Sequence, residues 1–172
     1  MDITEPFDRF IMGWINVGVG RSAMFDDGVR VLTDWNFFRA SWLVGFLLWA
    51  WYADRNEHSR LKFIAGLAGI LLATALSKTF QIVWFVHVRP FTVAETLGYR
   101  IPANVFSHWG EGNCFPSDTA SAYFAVAAVI FGLSRRWGTA AFAWVTLVIA
   151  LPRVYLLYHW PSDIIAGALL LH

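Results

Sequence analysis

The stretch Pro152-Arg153-Val154-Tyr155-Leu156-Leu157-Tyr158-His159-Trp160-Pro161-Ser162-Asp163 sets an arginine, a histidine and an aspartate at the junction of two strongly apolar segments. Such junctions lie at a membrane surface, where an ionisable side chain is costly to keep and marks function by default. Pro161 suits the first turn of a new helix and Asp163 falls just inside it, so the carboxylate points back at the junction from a helix N-terminus. His159 is then within reach of an orienting carboxylate, the arrangement of a nucleophilic imidazole, with Arg153 at the end of the preceding helix to hold an anion. The alternative for the same residues is a structural Arg153–Asp163 ion pair, with His159 capping a helix in the headgroup region.

Working outward, the composition is that of a membrane domain. Of 172 residues, 58% are hydrophobic, 17% aromatic and 15% charged, too apolar for an ordinary soluble domain and too long for one or two spans. The expected fold is all-α: one integral-membrane domain over 1–172, amphipathic and interfacial over 1–36 and a polytopic helix bundle over 37–172. Ten tryptophans and five tyrosines suit bilayer interfaces. A net charge of +1 without a basic run implies no nucleic-acid partner. Cys114 is the only cysteine, which excludes an internal disulfide and a cysteine metal cluster. Asp2, Glu5 and Asp8 make the N-terminus acidic where a cleavable signal would be basic.

Along the chain, Phe7, Phe10, Ile11, Trp14 and Ile15 recur at helical spacing, and Thr4 is placed to cap that helix. At roughly 13 residues it falls short of the ~20 needed to cross a bilayer, so it is expected in the interface plane. A second amphipathic piece follows over 22–35. Spans are expected over 37–52, with Arg39 snorkelling to the interface, over 63–86, over 119–133 and from 137 to about 151. A fifth helix starting at Pro161 covers about half a bilayer before the sequence ends. These make about five spanning or part-spanning helices, with a long polar segment over 89–118. Arg55, Arg60, Lys62, Arg135 and Arg136 fall on one side of this array, which is expected to be cytoplasmic. The 89–118 segment and the 152–163 junction then face outward together; Arg9, Arg21 and Arg30 on that side weaken the charge bias.

Three motifs in this order resemble the signatures of the type 2 phosphatidic acid phosphatase superfamily, integral-membrane lipid phosphatases that include a prenyl pyrophosphate phosphatase branch. Arg153-x5-His159-x3-Asp163 matches the third signature in spacing, with Pro152 where the family usually has serine. Cys114-Phe115-Pro116-Ser117-Asp118-Thr119 stands at the second, Pro-Ser-Gly-His or Pro-Ser-Asp-His, but Thr119 occupies the histidine's place. Arg89-Pro90 closes the first, Lys-x6-Arg-Pro; the nearby lysine is Lys78, with ten residues intervening before Arg89 instead of six, and Ile82 stands where the lysine should be. On a continuous helix, Lys78 and Arg89 would share a face about 16 Å apart.

The resemblance implies His159 as a nucleophile forming a phosphohistidine, Asp163 fixing its tautomer, and Arg89, Arg153 and Ser117 as a phosphate clamp. Asp118 and Lys78 join the substrate-binding set, and no metal or cofactor is implied. Ser117 and Asp118 also fit a helix start whose amides favour phosphate, or a plain helix cap. Threonine cannot protonate a leaving group near neutral pH, so His108 and His87 are the alternative acids. A lipid alkoxide needs that proton; a phosphate leaving from a pyrophosphate needs it less. The resulting expectation is a hydrolase or phosphotransferase acting on a lipid phosphate or prenyl pyrophosphate in a bacterial cytoplasmic membrane, with its site on the extracytoplasmic face. The rival is a catalytically impaired relative that binds a phosphorylated lipid as scaffold or partner subunit. A transporter component fits less well, because the polar groups cluster at one surface instead of lining a path through the midplane.

Overall fold

The computed structural model describes residues 6–53, 56–84, 87–102 and 112–170, together without the side chain of residue 58, and among them it contains helices and connecting turns but no strand. In chain order these are α1 (Pro6–Asn16), α2 (Ala23–Asp34), α3 (Asn36–Ala53), α4 (Glu57–Val83), α5 (Pro90–Leu97), α6 (Asp118–Leu133), α7 (Arg135–Trp144), a π-helical segment (Val145–Ala150), α8 (Leu151–Tyr155) and α9 (Pro161–Leu169). Two stretches, Ser59–Val83 and Arg135–Tyr155, are long and apolar enough to cross a membrane. The Thr4 cap expected for α1 lies outside the described residues.

α1 is built inside out. Its buried residues are Asp8, Met12 and Asn16, while Phe7, Phe10 and Trp14 are exposed. That orientation is stable when the surroundings are apolar, because polar groups must then find partners within the protein. They do so here: Ser162 donates its amide and its hydroxyl to Asp8 at 2.8 and 2.6 Å, and Asn16 exchanges two 2.8 Å bonds with the Arg100 backbone. α2 follows the same logic, with Ser22 as N-cap and buried Asp26 accepting from the Gly20 amide and the Tyr155 hydroxyl. Along α4, Leu71, Leu72, Ile82 and Val83 are exposed.

α6 is the axis of the fold, packed against α4, α7, α9 and α3. Ala120, Phe124, Ala127 and Ile130 meet Ala141, Val145 and Ile149 in the core. Two glycines set how close its neighbours come. A Cβ on Gly138 would lie 2.1 Å from Phe131 Cα, and one on Gly167 would lie 2.7 Å from the Ser117 carbonyl oxygen. Gly167 thereby lets α9 rest directly against the turn that starts α6. The π-helical register precedes Pro152, whose missing N–H cannot close the usual bond to residue 148.

Three expectations change. α4 ends at Val83, and Arg89 is extended (φ −67°, ψ 144°), so Lys78 and Arg89 do not lie on one continuous helix. Pro90 explains the extended Arg89, since proline drives the residue before it out of the helical region. Inside the segment read as polar, Pro90 then opens α5, which closes at Gly98 in the left-handed region (φ 71°). Arg39 does not snorkel: it is 4% exposed.

Candidate active site

The spacing of the Arg153–Asp163 motif is the spacing of two helix ends placed back to back. α8 closes in a Schellman turn: Tyr158 N–H donates to Arg153 O at 2.9 Å and Leu157 N–H to Val154 O at 3.0 Å. Leu157 holds the left-handed position at φ 61°, which a non-glycine residue adopts at a cost of roughly 1–2 kcal/mol. Complete burial of Leu157 and a 3.1 Å bond from Phe91 N–H to its carbonyl hold it there. The turn brings His159 N–H back to 3.4 Å from Arg153 O. Trp160 then serves as N-cap of α9 with Pro161 at N1, and Asp163 at N3 accepts from Trp160 N–H at 2.8 Å. Five residues between the arginine and the histidine and three between the histidine and the aspartate are what this geometry requires.

Asp163 is fully buried and serves several partners. His87 Nδ1 lies 2.8 Å from its Oδ1, His159 Nδ1 lies 3.4 Å from its Oδ2, and its carbonyl accepts from Ser117 N–H at 3.1 Å. The His159 contact is within ion-pair range but is not aligned as a hydrogen bond. His159 is 2% exposed. Burial pushes its pKa below the ordinary imidazole value while the nearby Asp163 carboxylate pulls the other way. The net result is a neutral imidazole held against a carboxylate, with Arg153 and Arg89 close enough to act on it electrostatically.

His87, one of the two alternative acids, is thus committed to Asp163. It is buried, edge-on to Phe115 and tilted against Trp160. Cys114 Sγ donates to His87 O at 3.0 Å. His87, Cys114 and Asp163 offer potential metal-ligand atoms within 4.8 Å of one another. Burial and the Asp163 charge push the Cys114 thiol's pKa up, against the thiolate a metal ligand needs. The donor set fits a hydrogen-bonded scaffold better than a metal centre. His108 lies outside the described residues.

Ser117 caps α6, accepting from Ala120 N–H at 3.3 Å, and is fully buried. Asp118 accepts from Thr119 N–H at 2.8 Å and pairs with Lys78 Nζ at 2.7 Å. The Thr119 and Ala120 amides of this turn are therefore occupied by its own side chains. Gln81 Nε2 and Ser77 Oγ donate to Pro116 O at 2.7 and 3.1 Å, tying the turn to α4. Lys78 reaches the site from α4 through Asp118 while more than half of its own side chain stays exposed.

Arg89 Nη1 donates to Tyr158 O at 3.0 Å, beside His159. Arg153 is 4% exposed and interacts electrostatically with Asp118, Arg89, Tyr123 and Arg39. The structure thus brings Arg89, Ser117, Asp118, Arg153, His159 and Asp163 together, with Lys78 at their edge. Sequence reasoning missed Asp8, His87's bond to Asp163, and Arg39. The available signal was the same for all three: an ionisable residue within or beside an apolar stretch.

Residues 61–170 match the PAP2 superfamily. The chain is 30% identical over 132 residues to "Putative undecaprenyl-diphosphatase YbjG" of Escherichia coli (strain K12), covering 74% of this chain and 59% of that protein. It is 27% identical over 143 residues to "Bacitracin transport permease protein BcrC" of Bacillus licheniformis, covering 78% of this chain and 64% of that one. The chain therefore spans about three fifths of the length of these curated relatives. No solved structure matches it significantly. With the match reaching from α4 to the end of α9 and taking in all three motifs, the chain belongs to the PAP2 superfamily.

Proposed function

We propose that the chain is a membrane-embedded phosphatase that takes a prenyl diphosphate or a related lipid phosphate through a phosphohistidine on His159. The observation that carries this reading is the buried His159, its Nδ1 3.4 Å from Asp163, with Arg153 and Arg89 close enough to act on it electrostatically. In the first step the His159 Nε2 lone pair forms a bond to the terminal phosphorus. The bond from phosphorus to the bridging oxygen breaks, and its electron pair leaves with the lipid monophosphate. Asp163 stabilises the positive charge that develops on the imidazole, and Arg153 and Arg89 stabilise the equatorial oxygens of the transition state. A water then attacks the phosphohistidine, the P–N bond returns its pair to His159, and inorganic phosphate departs with the water's proton released to solvent.

A diphosphate suits this chain better than a monoester because Thr119 stands where a proton donor would serve an alkoxide leaving group. The undecaprenyl-diphosphatase name of the Escherichia coli relative supports the same choice. The exposed apolar faces of α1 and α4 support a polytopic bundle of about five spans. The positions of Arg60, Lys62, Arg135 and Arg136 support a cytoplasmic inner end, with the site at the extracytoplasmic face. The test is phosphate release by purified protein in detergent, with a lipid monophosphate and a prenyl diphosphate side by side, and acid-labile label trapped on His159 from a 32P-labelled diphosphate. Turnover of the diphosphate with label on His159 is expected. Binding of both lipids without release of phosphate or label would turn the reading to a silent lipid-phosphate binder.

A further inference from the structure

Arg39 is the buried cation that the phosphatase reading leaves unused. It sits one turn into α3, at the end of that helix nearest the site, and is 4% exposed. Its Nη2 donates to Asn36 Oδ1, while Nε and Nη1 have no hydrogen-bond partner, and among the described residues it forms no ion pair. A guanidinium carries five donors and stays charged in proteins. Leaving two of its nitrogens buried and unsatisfied is costly unless an anion completes them.

The direction in which that anion lies follows from the neighbours. Arg39 and Arg153 are near enough to repel, Tyr123 of α6 interacts electrostatically with both, and the Asp34 carboxylate acts on Arg39 electrostatically without forming an ion pair with it. Tyr123 stands four residues after Thr119, on the same face of α6. A long helical side chain leans back over the turn N-terminal to its own Cα, so the Tyr123 phenol leans toward the position that lacks the acid. Two buried like charges that both act on one phenol make a site for negative charge, next to the arginine proposed to hold the first phosphoryl group.

We propose that Arg39, with Tyr123 beside it, binds the second phosphoryl group of a diphosphate and neutralises the departing monophosphate where Thr119 supplies no proton. This rests on the phosphatase reading and deepens it. The electron pair of the broken P–O bond stays on the bridging oxygen as phosphate charge facing Arg39, so no proton transfer is needed at that step. The result is selectivity for an anhydride, since an alkoxide has no second phosphoryl group to place against Arg39.

The test uses the full chain in detergent with Arg39→Gln and Arg39→Lys, and Arg136→Gln as the control. Inorganic pyrophosphate and inorganic phosphate are compared as inhibitors of diphosphate turnover and as ligands in thermal-shift titrations. In Arg39→Gln, pyrophosphate should bind at least tenfold more weakly and phosphate less than twofold; Arg39→Lys should fall between, and it stands in if Arg39→Gln does not fold. Equal weakening of both anions, or of neither, overturns the proposal. If the wild-type chain turns over no lipid, the phosphatase reading fails. Pyrophosphate protection lost in Arg39→Gln then still supports the subsite, and absence of pyrophosphate protection in the wild type overturns it.

Discussion

The turn from Arg153 to Asp163 and the passage from Lys78 to Arg89 bring cations to one place, and they are built in opposite ways. In the first, Arg153, His159 and Asp163 are each no more than 4% exposed and their backbone is fixed by a Schellman turn followed directly by an N-cap. One residue added or removed would break both helix ends. In the second, α4 stops at Val83, Arg89 is extended, and Lys78 reaches Asp118 from an exposed position on a flexible stem. A charge on such a stem can be supplied from another position along α4, because the side chain and not the backbone sets where it arrives. Spacing is strict where burial and hydrogen bonds determine it, and loose where a long side chain spans the gap.

The sharpest way to break this comparison is at the rigid turn. His159→Ala is expected to lower phosphate release by a factor on the order of 10⁴–10⁶, the loss that follows removal of a nucleophile from a preorganised site. The same group sets a pH limb. As the proposed nucleophile His159 attacks in its neutral form, and burial lowers its folded pKa, so the midpoint of the acid limb of kcat/KM should lie below the ordinary imidazole value of about 6.5. A midpoint above that value would mean the Asp163 charge outweighs burial.

Thr119→His asks whether the second motif lacks only its acid. Thr119 is half-buried at the start of α6, one residue beyond the Asp118–Lys78 pair. Monoester turnover should rise by up to about 10²–10⁴, with a smaller change for a diphosphate. An unchanged monoester rate, with the variant folded, would place a working acid elsewhere, and His108 would be the residue to replace next.

Asp8→Ala tests how the rigid turn is supported from outside the matched region. Asp8 accepts both donors of Ser162, the residue before Asp163, and burial raises its pKa. Removing it leaves the half-buried Ser162 amide and hydroxyl without their acceptor, at a cost of about 1–3 kcal/mol at most. The thermal unfolding midpoint should drop, and turnover should fall about tenfold as Asp163 loosens. Asp8→Asn, which keeps an acceptor, should recover most of both.

The contrast between the two regions also explains what was legible in the sequence. Arg153, His159 and Asp163 could be named from their place at a helix junction marked by Pro161, whereas Arg89 and Ser117 were named through their resemblance to family motifs. The helices at 36–53 and 118–133 were equally plain, being apolar runs bounded by polar turns. Arg39 was misread because an arginine near the end of an apolar helix can either snorkel or turn inward, and only the packing of α3 on α6 decides. Asp8 was hidden by the amphipathic pattern of α1: a helix expected in the interface plane puts its aspartate on the water-facing side. α5 was lost among polar neighbours, although Pro90 at N1 and Gly98 at the C-cap were there to mark it.

The smallest expected effect decides whether the loosely built region contributes to chemistry at all. Lys78→Met removes an ion pair whose lysine is more than half exposed and whose Asp118 partner is about one third exposed. Solvent screening limits such a pair to about 0–1 kcal/mol, so the unfolding midpoint should hardly move. In activity, a lysine that only neutralises Asp118 should cost threefold or less, and Lys78→Arg should match the native chain. A lysine that releases Asp118 to hold substrate phosphate should instead raise KM about tenfold with little change in kcat, because it would add binding shared by ground and transition states. Pairing Lys78→Met with Asp118→Asn separates these outcomes. If Lys78 acts only through Asp118, the double variant should be no worse than Asp118→Asn alone; if Lys78 touches phosphate, the two losses should add.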